Sequence, residues 1–325
     1  MSKRYKSKGG KEPYKEDLSK EYMKCAPSKK FEQGTCFTIE SLVKMCEAYN
    51  GYIKEGLKGG SGKNNKIIIR PIEIKKDNKR HLLQELIDRL SPICGNDQIC
   101  ILNQPFIKQL HDFEISKNTF PPLGPQGKFE WLNTTNIDDV MTQYMTIYPS
   151  FIFIGALPLD FDELPFLGVS NLDFDELYQK GKTQIGAIIN TDTHDRSGQH
   201  WLGLYANLEK SQVYFFDSYG VAPHDLIRKL VERIASWCNK KYNHGKIQEE
   251  RCKMMTKSGG ACKYERIMNI DFNRNRHQYK DSECGVYSIF FILKMLEGNK
   301  FDDIVNDKIP DQQMTDLRDN LFRFK

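Results

Sequence analysis

What most restricts this chain is the change of character at Cys284-Gly285. Upstream, Arg274 to Glu283 is polar and loop-like; downstream, Val286, Ile289, Phe290, Leu293 and Leu296 recur at helical spacing. A helix this apolar has to be buried, and Cys284 falls in its first turn. Unpaired amides and the helix dipole favour negative charge there, and cysteine pKa values at such positions fall from about 8.5 to roughly 3.5–7.5. A core cysteine at a helix start is the plainer reading. The residues upstream decide between the two.

The chain changes composition at the Pro/Gly-rich FPPLGPQG (120–127), the best domain boundary. Residues 1–30 read as a flexible basic arm and 31–120 as a mostly helical domain. In that domain a helix runs from Thr38 with Ile39, Leu42, Met45, Cys46 and Tyr49 on one face and a stop at Asn50-Gly51. GLKGGSGKNN (56–65) reads as a loop, Ile67 to Ile69 as a short strand and Leu82 to Leu90 as a second helix. The Gly-rich loop lacks the GxxxxGK[ST] spacing of a phosphate cradle, so no nucleotide is expected. From 125 to 325 the pattern is α+β. A helix follows Trp131, and FIFIGAL (151–157), IGAIINT (185–191), HWLGLYANL (200–208) and QVYFFDS (212–218) are strands by their β-branched and aromatic content. A long helix starts at Pro223, YERIMNIDF (264–272) is another strand, and QQMTDLRDNLFR closes the chain as a helix with Met314, Leu317, Leu321 and Phe322 on one side.

At 325 residues with 39% hydrophobic content the chain can bury a substantial core, and it has no apolar run long enough to span a bilayer. Nine cysteines without framework spacing predict free thiols rather than disulfides. Cys238, Cys252, Cys262 and His244 lack the close pairs of a structural zinc site, so no metal and no cofactor are expected. The first eleven residues carry five Lys or Arg and no acid, which suits electrostatic docking to nucleic acid or an acidic scaffold as well as plain solvation.

A thiolate nucleophile needs a base, and the base an orienting acid. Of seven histidines, His200 alone begins an apolar strand, with Trp201 beside it to shield the ring. Asp217 ends the next strand. A short turn near Asn207 to Ser211 makes these two strands a hairpin and brings Asp217 beside His200; an aspartate ending an apolar strand is costly unless it is paired. Gln278 lies in the loop feeding the cysteine helix, where its amide is placed to help the helix amides hold an oxyanion. His200, Asp217, Gln278 and Cys284 thus supply base, orienter, oxyanion donor and nucleophile.

His200-Trp201, Asp217 and QYKDSECG (278–285) together resemble the His-Trp, Asp, Gln-x5-Cys-Gly pattern of the SUMO-deconjugating and adenovirus-maturation cysteine proteases. WLN (131–133) is similar to the segment that opens the SUMO-protease catalytic domain. NIDDVMTQYM, GQHWLG, FFDSYG and MTDLRDNLFRF look most like the polyprotein-processing proteases of large cytoplasmic DNA viruses, the African swine fever virus type. The resemblance implies an α+β, SUMO-protease-like core with a mostly helical N-terminal extension. It also implies cleavage after Gly-Gly in structural polyproteins during virion maturation, at assembly sites in the host cytoplasm and in the virion. Cys284 would be nucleophile, His200 base, Asp217 its partner and Gln278 the oxyanion donor. Trp201 would line a narrow tunnel for the glycines, with Asn133 a substrate-binding residue by motif and a helix cap in the plainer reading. Glu283 departs from the aspartate usual before the cysteine. Deconjugation of a ubiquitin-like modifier is the first alternative; a non-catalytic binding or structural particle protein is the alternative of another class.

Overall fold

The computed structural model describes residues 24–58, 69–242 and 268–324. The chain divides into two compact units between Pro121 and Pro122.

The front unit is helical. Helix α1 (Ile39–Lys58) turns Leu42, Met45, Cys46, Tyr49 and Ile53 toward Leu82, Leu83, Leu86 and Leu90 of α2 (Lys79–Cys94). Three short helices, α3 (Gln98–Leu102), α4 (Pro105–Lys108) and α5 (Phe113–Ser116), close the cluster with Ile101, Phe106, Ile107 and Ile115. The expected stop at Asn50-Gly51 is absent. The Asn50 amide clips the backbone of Ile72 instead, donating to its carbonyl at 2.9 Å and accepting its N–H at 2.7 Å, and α1 continues through Gly56. Leu57 and Lys58 of the expected 56–65 loop are therefore the end of α1, and 59–65 lie outside the described residues, as do Ile67 and Ile68 of the expected strand; Ile69 is in no strand. Residues 24–30 are tied down, Ala26 donating its N–H to the Thr119 carbonyl at 3.0 Å.

The expectation of free thiols fails here. Cys25 is bonded to Cys36 and Cys94 to Cys100, each pair with Cα atoms 5.4 Å apart, a separation that suits a disulfide. The pairs are 11 and 6 residues apart in sequence. It is the path of the chain that makes them neighbours, and spacing alone carried no such signal.

In the second unit, β1 (Phe151–Leu157), β2 (Gln184–Asn190), β3 (Trp201–Asn207), β4 (Gln212–Phe216) and β5 (Asn269–Phe272) form one sheet in chain order. The β1–β2 and β4–β5 pairs are parallel and the two central pairs antiparallel. Strand alternation divides the side chains between two cores. Leu202, Leu204, Ala206, Val213 and Phe215 face α8 (Asp225–Lys241), which follows α6 (Thr134–Met145) and α7 (Phe174–Gln179) in the chain. The opposite face, with Phe151, Tyr205, Tyr214 and Phe216, receives α9 (Cys284–Leu296).

Helix α9 is buried on nearly every side, and each enclosed Ile, Leu or Phe contributes roughly 1.5–3 kcal/mol. Gly203 lets it lie close on the sheet, since a Cβ there would sit 2.9 Å from Phe291, while Gly186 makes room for the Phe151 ring, 2.8 Å from where its Cβ would be. Ser288 adds a bond from its hydroxyl to the Trp201 carbonyl at 3.1 Å. The helix start is thereby fixed beside the start of β3. Helices α10 (Phe301–Asn306) and α11 (Asp311–Leu321) cover its far side. Pro223 precedes the N-cap of α8 rather than opening the helix; His224 is the cap, its Nδ1 accepting the Leu226 N–H at 3.2 Å. Helices α7 and α10, six residues each, are too short to show a period and escape a sequence reading.

Candidate active site

The β3–β4 hairpin delivers the first pair as its register predicts. Gly203 stands opposite Phe216, and just past the paired residues His200 Nε2–H donates to Asp217 Oδ1 at 2.6 Å. The loop after β4 wraps the carboxylate: the Tyr219 N–H donates to Oδ1 at 2.9 Å and the Val221 N–H to Oδ2 at 3.2 Å. The turn needs a left-handed residue at Gly220 (φ 78°), where a Cβ would lie 2.8 Å from the Arg274 carbonyl oxygen. Asn273 anchors the loop from below, its amide donating to the Asp217 carbonyl at 2.6 Å.

Cys284 is the first residue of α9 and is 2% exposed. Its side chain hydrogen-bonds to His200. Nε2 is taken by Asp217, which leaves Nδ1 as the ring nitrogen for Cys284, so His200 joins the other two side chains. Burial pulls the His200 pKa down, but the bonds and charges of Asp217 and Cys284 outweigh it and raise it to about 9. The imidazolium is therefore the favoured form at neutral pH. Burial pushes up the thiols of the other two free cysteines among the described residues, Cys46 to about 12 and Cys238 to about 11.

Gln278 is fully buried in the loop before α9. Its Oε1 accepts the Ser218 hydroxyl at 2.7 Å and its Nε2 donates to the Lys280 carbonyl, which leaves one of its two amide hydrogens for another acceptor. Glu283, at the N-cap of α9, makes no side-chain cap. Its carboxylate is held by Arg318 of α11, through Nε at 3.1 Å and Nη2 at 2.9 Å, and accepts the Thr315 hydroxyl at 3.2 Å. Both side chains of this pair are at most 1% exposed.

Trp201 donates its indole N–H to the Leu132 carbonyl at 2.7 Å, and Leu132 closes on the helix start, 3.1–3.3 Å from where a Gly285 Cβ would be. Both residues also line a cavity of about 450 Å³ with Trp131, Asn133, Phe166 and His194. Asn133 borders this cavity, but its side chain caps α6 in a reciprocal capping box with Asn136, the plainer of its two readings. Among the described residues no cluster of His, Cys, Asp or Glu stands ready for a metal, and no helix is long and apolar enough to cross a membrane. Cys252, Cys262 and His244 lie outside the described residues.

Sequence reasoning missed His277, which it left among polar loop positions. The residue is buried, its Nδ1 accepts the Ile309 N–H at 3.2 Å, and its Nε2 finds no partner among the described residues. Burial, with a smaller push from Lys308, lowers its pKa. Arg318 and Tyr219 were missed as well.

Residues 181–324 match the Ulp1 protease family, C-terminal catalytic domain. A protein of Acanthamoeba polyphaga mimivirus that bears a thiol-protease name is 33% identical over 295 residues, 90% of each chain. The chain belongs to the Ulp1 family of cysteine proteases. A SUMO-1 cysteine protease of African swine fever virus is 22% identical to this Ulp1-family protease over 261 residues, 74% of this chain and 88% of its own. The crystal structure of the African swine fever virus protease superposes with a TM-score of 0.52 at 20% identity, covering 82% of this chain and 94% of its own. The architecture expected from the sequence, an α+β SUMO-protease-like core with a helical N-terminal extension, is the one found.

Proposed function

We propose that this Ulp1-family protease cleaves peptide bonds that follow Gly-Gly, with Cys284 as nucleophile, His200 as base and acid, Asp217 as its orienting partner and Gln278 as oxyanion donor. The observation that carries the reading is the closed approach to the sulfur. Cys284 is 2% exposed, and Leu132 and Trp201 are packed and hydrogen-bonded against the helix start. A substrate backbone without side chains suits such a slot, and selection is then largely by exclusion.

The Cys284 thiolate attacks the carbonyl carbon of the second glycine, and the C=O pair moves onto oxygen, facing the α9 amides and the free amide hydrogen of Gln278. Collapse breaks the C–N bond while the His200 imidazolium gives its proton to the departing amine, leaving a thioester and a neutral imidazole. That imidazole takes a proton from water; the hydroxide adds to the thioester, and collapse releases the acid and regenerates the thiolate–imidazolium pair. Trp201 forms the wall of the slot and Asn133 the cavity rim upstream of it.

In this reading the substrate is a structural polyprotein of a large DNA virus, cut at assembly sites in the host cytoplasm and in the particle, and the basic arm docks the enzyme on nucleic acid or an acidic scaffold. Loss of that docking at high salt is its test. The SUMO-1 protease name of the African swine fever virus relatives favours a second reading, release of a ubiquitin-like protein from its conjugate. Gly-Gly-Xaa, Gly-Ala-Xaa and Ala-Gly-Xaa peptides, incubated with the protein and with Cys284→Ala and read by intact mass, test the specificity. Cysteine-dependent cutting confined to Gly-Gly is expected; equal cutting of all three would overturn it. A folded Gly-Gly modifier conjugate cut faster than every peptide would favour the second reading.

A further inference from the structure

His200 has a contact besides those with Cys284 and Asp217. Its ring lies flat on Tyr219, with centroids 4.4 Å apart and planes 10° from parallel. The Tyr219 N–H donates at 2.9 Å to Asp217 Oδ1, the same oxygen that accepts His200 Nε2–H. One residue thus holds the carboxylate with its main chain and covers the imidazole with its side chain.

Tyr219 is itself held. The Arg276 guanidinium carbon lies 5.1 Å from its centroid and 4.9 Å from that of Tyr279, and Lys308 Nζ lies 4.2 Å from the Tyr279 centroid. A parallel imidazole at 4.4 Å fills one face of Tyr219, so the guanidinium takes the other. Arg276 Nε also donates to the Gln278 carbonyl at 2.8 Å, joining this stack to the loop that leads to Cys284.

Two physical consequences follow. A histidine ring anchored at one nitrogen can still tilt about its Cβ–Cγ bond, and a flat partner at stacking distance resists the tilt. A π face also attracts a cation more than a neutral ring. The charged or titratable groups acting on the imidazole are Asp217 and Cys284, and those acting on Tyr219 are Cys284, Asp281, Arg276 and Asp217. Arg276 is exposed, so water and salt screen its charge.

We propose that Tyr219 is a positioning residue for the reaction: its ring fixes the plane of the His200 imidazole toward Cys284 and favours the imidazolium that pairs with the thiolate. The inference rests on the reading that Cys284 and His200 carry the chemistry, and its test needs no substrate. The full chain is alkylated with iodoacetate from pH 4 to 10, and labelling of the Cys284 peptide is quantified by mass spectrometry. This anionic reagent is drawn by the imidazolium, so its rate falls as His200 loses its proton. Tyr219→Leu is expected to move that fall to lower pH by about half a unit and to slow labelling on the plateau about three-fold. Tyr219→Phe, which keeps the π face, should stay within about 0.2 units of the wild type. An unmoved leucine variant, or a phenylalanine variant displaced as far as leucine, overturns the proposal. Should the leucine variant not fold, Tyr219→Met replaces it under the same criteria, and Tyr219→Trp must hold the midpoint at or above wild type, a fall overturning the proposal. If wild-type Cys284 is labelled no faster than Cys46 and Cys238 below pH 8, it is the Cys284–His200 reading that fails, and the proposal with it.

Discussion

Replacing Arg318 by methionine should be among the most damaging single changes in the catalytic unit, although Arg318 lies 34 positions after Cys284 in sequence. The guanidinium is 0% exposed and Glu283 is 1% exposed. Besides its two bonds to Glu283, Arg318 donates through Nη2 to the Ser282 carbonyl at 2.6 Å and through Nη1 to the Glu130 carbonyl at 2.7 Å. Methionine fills similar volume but leaves a buried carboxylate and two carbonyls without this donor. Breaking a buried pair on one side costs about 3–5 kcal/mol. For a unit of this size each kcal/mol lowers Tm by roughly 2–4 °C, so a fall of about 6–20 °C is expected in calorimetry. Adding Glu283→Gln removes the stranded charge, and the double variant should regain about half of the loss. Glu283 adjoins Cys284, so a displaced loop should also lower kcat about ten-fold or more well below the transition. A Tm within about 3 °C of wild type, or a double variant no better than Arg318→Met, would show that the pair is not a fixed buried contact.

Stability should respond to pH through two histidines with opposite signs. His277 has a folded pKa below its ordinary value, so stability falls as pH drops below about 6.5, where the unfolded chain binds the extra proton; His277→Gln should flatten that part of a urea-midpoint profile. His200 has a folded pKa raised to about 9, so its contribution is complete below about 6.5 and is lost as pH rises toward 9; His200→Gln should flatten the alkaline part. Gly220→Ala requires a left-handed residue with its Cβ 2.8–2.9 Å from the backbone of Arg274 and Asn275. It should cost at least about 2 kcal/mol in denaturant titration and weaken the cradle around Asp217, whereas an unchanged midpoint would mean that the loop moves freely.

What could be read in the sequence follows the range of the interactions involved. Cys284 was legible because hydrophobic period changes within a few residues, and the His200–Asp217 pair because one short turn fixes a hairpin register. Arg318 shows where this stops. It lies four residues after Met314 and three before Leu321, so helical spacing places it inward while its charge argues for the outside. Only a partner 35 positions away, Glu283, decides between them. The same holds for Asn50, which looked like a helix stop until its amide was seen on Ile72, and for the two cysteine pairs, whose proximity belongs to the folded path. His277 carried no local signal: nothing in a polar loop indicates that one of its members turns into the core.

Glu283 joins these points to the chemistry. A short acidic side chain before a helix ordinarily bends back onto the amides of the first turn and occupies them. Glu283 has one more methylene and a fixed guanidinium in front of it, and its carboxylate goes to Arg318 and Thr315 instead. The first-turn amides of α9 are therefore left without a side-chain cap beside Cys284, where the proposed mechanism brings negative charge. Pairing Glu283 with Arg318 also offsets a negative charge next to Cys284, which reacts as a thiolate in the proposed mechanism. In the proposed mechanism the buried pair serves stability and the electrostatics of Cys284 together, and α11 contributes to the active site for that reason.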